Sequence, residues 1–340
     1  MNNILVTGGY GFIGSHLIKL LLSSDSYSES HIYNLDYMRY GSNFYNLEEN
    51  IRNNKRFSFV KGDINDVDSI SNIGDVDTII NVAAETHVDR SINEPSSFTH
   101  SNYNGTFALL EYCRSRNIEK YIQVSTDEVY GEARNNYSFK EDDNLNPSNP
   151  YSSTKAAADL LVNSYFRTYG LRTAITRCTN NFGPHQFPEK LIPRTIIRIL
   201  HGLDVLTYGS GDQVRDWIYV LDHVKAIDIV TRKGLPGETY NISASNPMRN
   251  IDLVKRVSTL VEAKSGKSGK IKSIEERPGH DYRYSLDSTK IITELGWRPE
   301  TKFESSLEET VDWYLNNEAW WHDLVDPYVT NLHPWKIGDR

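Results

Sequence analysis

Tyr151 and Lys155 stand four residues apart in NPYSSTKAAAD. On a helix that spacing places both on one face. A free tyrosine ionises near pH ~10, too high for a base at neutral pH. A neighbouring lysine cation favours tyrosinate and lowers that value. Tyr151 could then take a proton from a hydroxyl group while hydride leaves for a nicotinamide. Taken alone, the same pair also fits an ordinary helix surface. A second constellation is STDEVYG, Ser125–Gly131, at the end of the apolar run YIQVS. Thr126, Asp127 and Glu128 then fall at the C-terminal edge of a sheet, where open α/β sheets bind ligands. Two adjacent carboxylates can divide general-acid and general-base work if their surroundings separate their pKa values. The alternative is a helix N-cap followed by acidic first-turn residues. The residue types do not separate these two readings.

Hydride chemistry needs an acceptor, and the N-terminal segment ILVTGGYGFIGSHL offers a place for one. It begins as a strand, turns through glycines and opens a helix. Gly8, Gly11 and Gly14 form GxxGxxG, a variant of the dinucleotide fingerprint. Gly8 permits the tight turn, Gly11 lets the backbone approach a pyrophosphate, and Gly14 lets the helix pack closely on the sheet. The helix N-terminus beyond supplies N–H groups to phosphate. The second strand candidate, HIYNL, ends at Asp36. A carboxylate there can accept both ribose hydroxyls of NAD and would repel the 2′-phosphate of NADP. A plain turn residue is the competing reading of Asp36. Asp63 and Ile64 follow the third strand and could flank the adenine, though Asp63 could equally cap a helix.

These groups need a scaffold. Strand candidates are Asn3–Thr7, His31–Leu35, Phe57–Lys61, Thr78–Val82, Tyr121–Ser125 and Thr173–Arg177, with helices near Ile13–Ser23, Asn102–Arg116 and Ser153–Tyr169. The alternation predicts an α/β fold, a Rossmann-type doubly wound parallel sheet with a smaller C-terminal α/β substrate-binding lobe. After Arg177 the pattern changes. Pro184, Pro188 and Pro193 mark a loop-like stretch, and short elements follow at Val205–Tyr208, Trp217–Val220, Val224–Thr231, Thr239–Ile242 and Asn250–Ala263. The expected division is residues 1–180 for the dinucleotide, with about 217–245 returning to that domain, and 181–340 for the substrate lobe and tail. Lys264–Lys270, KSGKSGK, reads as a solvated polar loop. Trp320, Trp321 and Trp335 in the tail are expected to dock on the body.

A chain of 340 residues can build a large core or two lobes, and 38% hydrophobic with 24% charged residues is ordinary for a globular protein. A net charge of −8 and the lack of a Lys/Arg strip argue against nucleic acid as the main partner. A few placed cations could still hold an anionic small molecule. Cys113 and Cys178 form no CxxC pair, and no His/Cys cluster suggests a metal. The N-terminus runs into a strand without a signal-peptide pattern, and no apolar run approaches the ~20 residues that span a bilayer. The expectation is a cytoplasmic, soluble protein without membrane contact.

With these motifs laid out, the chain resembles the extended short-chain dehydrogenase/reductase family and, within it, the nucleotide-sugar 4,6-dehydratases. TGGYGFIGSH and YSSTKAAAD are common to the larger family, epimerases included. AAETHVDRS (Ala83–Ser91), STDEVYG, NNFGPHQFPEKLIP (Asn180–Pro193), RDWIYVLDH (Arg215–His223) and RPGHDYRY (Arg277–Tyr284) are more specific. The Asp127–Glu128 pair decides, because epimerase and decarboxylase relatives usually lack it. The resemblance implies that Tyr151, with Thr126 and Lys155, oxidises a hexose at C4 with NAD. Glu128 then removes the C5 proton, Asp127 protonates the departing C6 hydroxyl, and hydride returns to C6. It implies NAD contacts at Phe12, Ile13, Asp36, Asp63, Ile64, Ala83, Ala84, Ser101, Tyr151, Lys155 and Asn181. It implies contacts to a sugar nucleotide, dTDP-glucose or UDP-glucose, at Thr86, Asn180, Lys190, Leu191, Ile192, Pro193, Tyr208, Arg215, Asn250, Arg277 and His280. Arg215 is physically apt for a diphosphate, since a guanidinium makes paired charge-assisted bonds. Lys190 could add a second point charge. The resemblance also implies a homodimer joined through long helices of the Rossmann lobe, and a place in deoxysugar synthesis such as that of rhamnose.

Three positions depart from the pattern. Asn81 stands where His is common, Phe182 where Tyr is frequent, and Tyr282 where Arg is common. The first two read as packing changes, the third as a change near nucleotide contacts. Two other functions compete: a nucleotide-sugar epimerase or decarboxylase on the same scaffold, which would not need Asp127 and Glu128, and a non-catalytic NAD-binding sensor.

Overall fold

The computed structural model describes residues 3–336 apart from 72, 135 and 333. Seven strands form the main sheet: β1 (Asn3–Thr7), β2 (His31–Asp36), β3 (Phe57–Lys61), β4 (Thr78–Asn81), β5 (Lys120–Thr126), β6 (Thr173–Cys178) and, arriving later, Thr239–Ile242. Between and after them run α1 (Phe12–Ser23), α2 (Val88–Asn93), α3 (Gly105–Arg116), α4 (Pro150–Tyr169), α5 (Leu191–Leu200), α6 (Val220–Lys233), α7 (Asn250–Ser265) and α8 (Phe303–Asn316). The remaining strands are β7 (Asn180–Phe182), β8 (Val205–Tyr208), β9 (Val214–Tyr219), β11 (Pro247–Arg249) and β12 (Ile271–Ile274), so that Thr239–Ile242 is β10.

The sheet order is β10-β6-β5-β4-β1-β2-β3, and every pairing is parallel. The chain winds outward from β1 through β2 to β3, then crosses back to β4 and winds the other way. The order therefore reverses between β1 and β4, and a crevice opens beyond their C-terminal ends. Alternate strand residues feed two cores. Ile4, Val6, Ile80 and Ile122 face one, while Leu5, Ile79 and Tyr121 face the other. On the first side α1 brings Leu17, Ile18 and Leu21, and α6 brings Val224, Ile227 and Val230. On the second, α3 brings Leu109, Leu110 and Cys113, and α4 brings Val162 and Tyr165. Both faces of the central strands are covered, so β1 and β4 read as largely apolar runs, whereas the edge strand β3 is partly exposed.

Helix α4 carries the Tyr–Lys pair and is sharply bounded. Asn149 caps it in a reciprocal box with Ser152, Pro150 opens it, and Gly170 ends it in the left-handed region at φ 69°. Helix α3 starts later than the pattern implied. Thr99–Asn104 form a wide π turn first. There the Asn102 amide turns aside to bond both backbone groups of Glu85 and the Thr154 hydroxyl.

Besides α8 and the short strands β7, β11 and β12, which the sequence reading did not name, the second half differs from it in two places. The proline-rich stretch gives way at Leu191 to α5, which the sequence reading missed. Pro193 sits in its first turn, where the missing N–H breaks no helical bond. Ile192, Ile196 and Ile199 line its buried face, a period that was present in LIPRTIIRIL. The basic run 264–270 is not wholly a loop. Lys264 lies in the last turn of α7 and pairs with Glu308 at 2.9 Å and Asp312 at 2.8 Å on α8, and Lys267 donates to the Leu200 carbonyl.

Two small sheets, β7-β9-β11 and β8-β12, build the rest. The tail docks on the body. Trp321 is fully buried and donates to the Tyr314 carbonyl, Trp320 reaches the Asn46 side chain, and Trp335 packs beside Tyr208 and Ile274. Among the described residues no helix is long and apolar enough to cross a membrane.

Candidate active site

The glycine turn lies over the crevice. Gly8 has φ 68°, and a Cβ there would come within 2.8 Å of the Ala83 backbone. A Cβ on Gly14 would lie 2.2 Å from the Gly8 carbonyl oxygen, so the helix can pack this closely only on glycine. Gly11 caps α1 without a side-chain hydrogen bond, which leaves the first-turn N–H groups of α1 for a ligand. At the end of β2 the Asp36 carboxylate is buried. It accepts from the Tyr10 N–H at 2.9 Å, the Met38 N–H at 2.8 Å and the Ser42 hydroxyl at 3.0 Å. Burial pushes its pKa up, and those donors pull it back. Asp63 forms a local turn through Asn65 and meets His100 at 3.1 Å. These bonds hold it below the usual range although burial opposes them.

One cleft of about 300 Å³ runs from this turn across the switch point. Its nearer wall holds Gly8, Gly11, Phe12, Ile13, Gly14 and Asp36. Its middle holds Asp63, Ile64, Ala83, Ala84, Ser101 and Asn181. Thr86, Asn180, Lys190, Thr126, Asp127, Glu128 and Tyr151 close its far part. Lys190 joins the walls by donating to the Thr86 carbonyl at 2.7 Å.

At the end of β5 the turn reading of STDEVYG holds, and the same two carboxylates line the cleft. Thr126 caps a short 3-10 turn by accepting from the Glu128 N–H, and it donates to Asp127 at 3.1 Å. Asp127 is 3% exposed, and its Oδ2 has no hydrogen-bond partner among the described residues. Burial, then the Glu128 charge, push its carboxyl up to about 8, against the pull of Arg215. It is therefore a neutral acid at neutral pH. Glu128 is less buried and accepts from the Asn149 amide at 3.2 Å.

The Tyr151–Lys155 electrostatics need a correction. Both side chains are buried on one face of α4, but burial and the Glu128 and Asp127 charges raise the tyrosine pKa, with a Thr126 hydrogen bond opposing. The Lys155 ammonium donates to the Val124 carbonyl at 2.7 Å, and burial lowers its own pKa to about 8. The lysine cation is turned to the strand and does not offset the desolvation of the phenol.

The Asp127 shift has a consequence for stability. An unfolded aspartate releases its proton near pH ~4, whereas the folded one holds it to about 8. The stabilisation from that proton is complete below the unfolded value and is lost as pH rises through the folded one. Asp127→Asn is therefore expected to melt above the parent protein at pH ~9, with the gap closing toward pH ~4. Thermal melts across that range measure it, and a gap independent of pH would contradict a buried neutral Asp127.

Eight expected substrate residues lie outside this cleft. Leu191, Ile192 and Pro193 form the first turn of α5, just after Lys190. Asn250 opens α7, with its Oδ1 buried and without a hydrogen-bond partner among the described residues. The Arg215 guanidinium is not a free fork. It bonds the carbonyls of Val214, Asp281 and Tyr282 and lies 4.2 Å over the Tyr284 ring. It reaches the acid pair through charge alone. Arg277 pairs with Asp89 at 2.8 Å, Tyr208 donates to the same carboxylate at 2.7 Å, and His280 meets Glu276. Asp89, on α2, was missed by sequence reading, although it stands in the quoted HVDRS. Nothing in a single chain announces a partner 188 positions away.

Two of the departures also read differently. Asn81 is not a packing residue. It accepts from Thr7 and donates to Tyr121 and Gln123, a polar knot inside the sheet. Phe182 does pack, against Tyr219 and Phe303. The Tyr282 side chain is exposed, and only its backbone touches Arg215.

A doubly wound parallel sheet, a glycine turn at its switch point and a buried Tyr–Lys pair beneath the same cleft define a protein of the extended short-chain dehydrogenase/reductase class. Residues 5–310 match the family model described as GDP-mannose 4,6 dehydratase, and the chain belongs to that family. It is 41% identical to the dTDP-glucose 4,6-dehydratase of Escherichia coli, over 95% of this chain and 96% of that one. The crystal structure of DesIV, a dTDP-glucose 4,6-dehydratase of Streptomyces venezuelae with NAD bound, is similar at TM-score 0.90 and 40% identity, covering 95% of this chain and all of that one. UDP-glucose 4-epimerase of Thermus thermophilus, in complex with NAD, shares the fold at TM-score 0.83 and 27% identity, over 93% and 99% of the two chains.

Proposed function

We propose that this protein is an NAD-dependent hydro-lyase that converts dTDP-glucose to its 4-keto-6-deoxy form. The observation that carries this reading is the meeting of Asp127, Glu128 and Tyr151 in one cleft with the glycine turn. A simple dehydrogenase or an epimerase needs no acid for water loss. Relatives named for this reaction, matched along nearly their whole length, support the thymidine nucleotide.

The residues fit a dinucleotide. The glycine cradle would be filled by any Cβ, Asp36 stands where a ribose would lie, and Ala83, Ala84, Ser101 and Asn181 line the way to Tyr151. When bound, NAD supplies a hydride acceptor for C4 of the sugar and a hydride donor for C6. Tyr151, hydrogen-bonded to Thr126, first releases its own proton to solvent and as tyrosinate takes the proton from the C4 hydroxyl as C4 is oxidised. The new 4-keto group acidifies the C5 proton, and Glu128 removes it. Asp127, kept protonated by burial, gives its proton to the C6 hydroxyl, which leaves as water. Once C6 is reduced, Glu128 returns a proton to C5. Solvent restores the proton of Asp127 and takes the one on Tyr151, so the net change is loss of one water.

Thr86, Asn180 and Lys190 hold the hexose end. The cationic cluster of Arg215 and Arg277, with Tyr208, Asn250, His280 and the Leu191–Pro193 turn, receives the nucleoside diphosphate. This division gives the N-terminal 180 residues, with the α6–β10 return, to the cofactor and the rest to the substrate. A homodimer through α3 and α4 is supported by Phe107 and Leu160, which are 49% and 61% exposed on those helices. The protein acts in the cytoplasm, in deoxysugar synthesis of the rhamnose type.

Thymidine and uridine diphosphate sugars differ by a ring methyl and a ribose hydroxyl. A methyl in an apolar pocket is worth ~1–3 kcal/mol. Turnover of dTDP-glucose and UDP-glucose, followed by formation of the 4-keto product, tests the proposal. A preference for dTDP-glucose of roughly tenfold or more in kcat/KM is expected. Equal or reversed preference moves the substrate to UDP-glucose, and interconversion of C4 epimers without water loss overturns the dehydratase reading.

A further inference from the structure

We infer that Asn149 is a positioning residue that keys the Glu128 carboxylate to the helix carrying Tyr151. The inference rests on the reading of Glu128 as the base at C5.

Asn149 is buried, 6% exposed, and its side chain faces two ways. Its Oδ1 accepts from the Ser152 N–H at 2.9 Å and caps α4. Its Nδ2 donates to Glu128 Oε2 at 3.2 Å. Among the described residues this is the one hydrogen bond made to the Glu128 carboxylate. The backbone of Asn149 is pinned as well. Its N–H donates to the Ser152 hydroxyl at 3.1 Å, and its carbonyl accepts from the Ser153 N–H at 2.9 Å. Its neighbour Ser148 donates to Asp281 beside the Arg215 site. The amide is thus a fixed donor.

Capping does not explain the second bond. Asn, Asp and Ser serve about equally at an N-cap, since each supplies the oxygen that the helix needs. An amide alone joins that acceptor to a donor on the same rigid group. Tyr151 lies two residues on, in the first turn of the helix that Asn149 caps. The register between the phenol and the Glu128 carboxylate therefore passes through one planar group.

The reaction needs such a register. The two groups act on adjacent carbons of one ring, and misplacement of a reacting group by about 1 Å can cost ~10²-fold. The carboxylate also needs a restraint of its own, because Lys190, Arg215 and Arg277 all feel its charge. Without the amide, the carboxylate would be free to shift toward those cations. A neutral donor holds it without neutralising it.

Two variants separate the cap from the key. Asn149→Asp keeps the cap oxygen and replaces the donor with a carboxylate facing Glu128. Asn149→Ser keeps the cap and simply lacks the amide. In the full-length protein loaded with NAD, both are expected to melt with the parent. Asn149→Asp is expected to lose about ten- to a hundredfold in kcat with KM unchanged, the usual scale for a hydrogen bond to a charged group. Proton removal then limits turnover, so substrate deuterated at C5 gives an isotope effect on kcat larger than in the parent. The acid limb of its rate profile moves to higher pH, because a carboxylate now faces the base. Asn149→Ser is expected to fall between parent and Asp in kcat and in isotope effect. Parental kcat and isotope effect in Asn149→Asp would overturn the inference. So would losses in both variants that track a lower melting temperature, which would leave the cap as the whole role. Glu128→Gln distinguishes the parent reading: full dehydratase turnover in that variant removes Glu128 as the base, whereas an inactive Glu128→Gln beside a parental Asn149→Asp sinks only the positioning role.

Discussion

Asp127→Asn combined with Glu128→Gln is expected to leave a protein that oxidises its sugar nucleotide and stops. The two carboxamides keep the shape of the groups they replace, so the cleft and the Thr126 turn should survive. Oxidation at C4 draws on Tyr151 and the cofactor, neither of which is altered. Water loss draws on both carboxyl groups, and a positioned acid or base is worth on the order of 10²–10⁴-fold in rate. With both gone, net turnover should fall by at least ~10³-fold. Reduced nicotinamide should then accumulate on the protein after substrate is added. Absorbance of the reduced cofactor and product analysis measure the two halves separately. An epimerase on this scaffold would keep turning over, and that result would remove the dehydratase reading. Burial already favours a neutral group at position 127, so the variant should not be less stable at neutral pH.

Tyr151→Phe is expected to block the reaction one step earlier. The ring packs against Val88 and Phe98, and phenylalanine preserves that contact. What disappears is the hydroxyl that meets Thr126 and faces the carboxylate pair. Loss of the base should lower kcat by ~10²–10⁴-fold, with little change in the retention of NAD or of substrate. Because C4 oxidation itself fails, no reduced cofactor should build up. The two variants therefore differ in a direct spectroscopic sense: one traps reduced nicotinamide and the other does not form it. Accumulation of reduced cofactor in Tyr151→Phe would show that another group takes the C4 hydroxyl proton.

Much of the scaffold was legible in the chain. The strand runs at Asn3–Thr7, Phe57–Lys61, Val205–Tyr208 and Thr239–Ile242 coincide with strands; three of them are buried along nearly their whole length, whereas β3 at the sheet edge buries Phe57 and exposes Phe59 and Lys61. The glycine turn was legible because Gly11 and Gly14 meet the Gly8 carbonyl only a few residues away, a local constraint. Helix α5 was not, because three prolines masked a real helical period. Nor was the start of α3, where Asn102 leaves the helical pattern to bond a loop 17 residues upstream.

The sequence by itself determined which chemical groups exist and which element carries each one. Spacing alone put Tyr151 with Lys155 and Asp127 with Glu128, because a turn of helix and the end of a strand are local geometry. Only the tertiary structure decided their states. Asp127 is a neutral acid because it is buried at the end of β5 and the Glu128 charge opposes its ionisation. Lys155 reaches across 31 positions to a strand carbonyl and so does not serve the tyrosine as a simple neighbouring charge. Asp89 meets Arg277 from the far end of the chain. Desolvation and Coulomb energy depend on distance in space, and distance in space is what a linear order of residues does not contain.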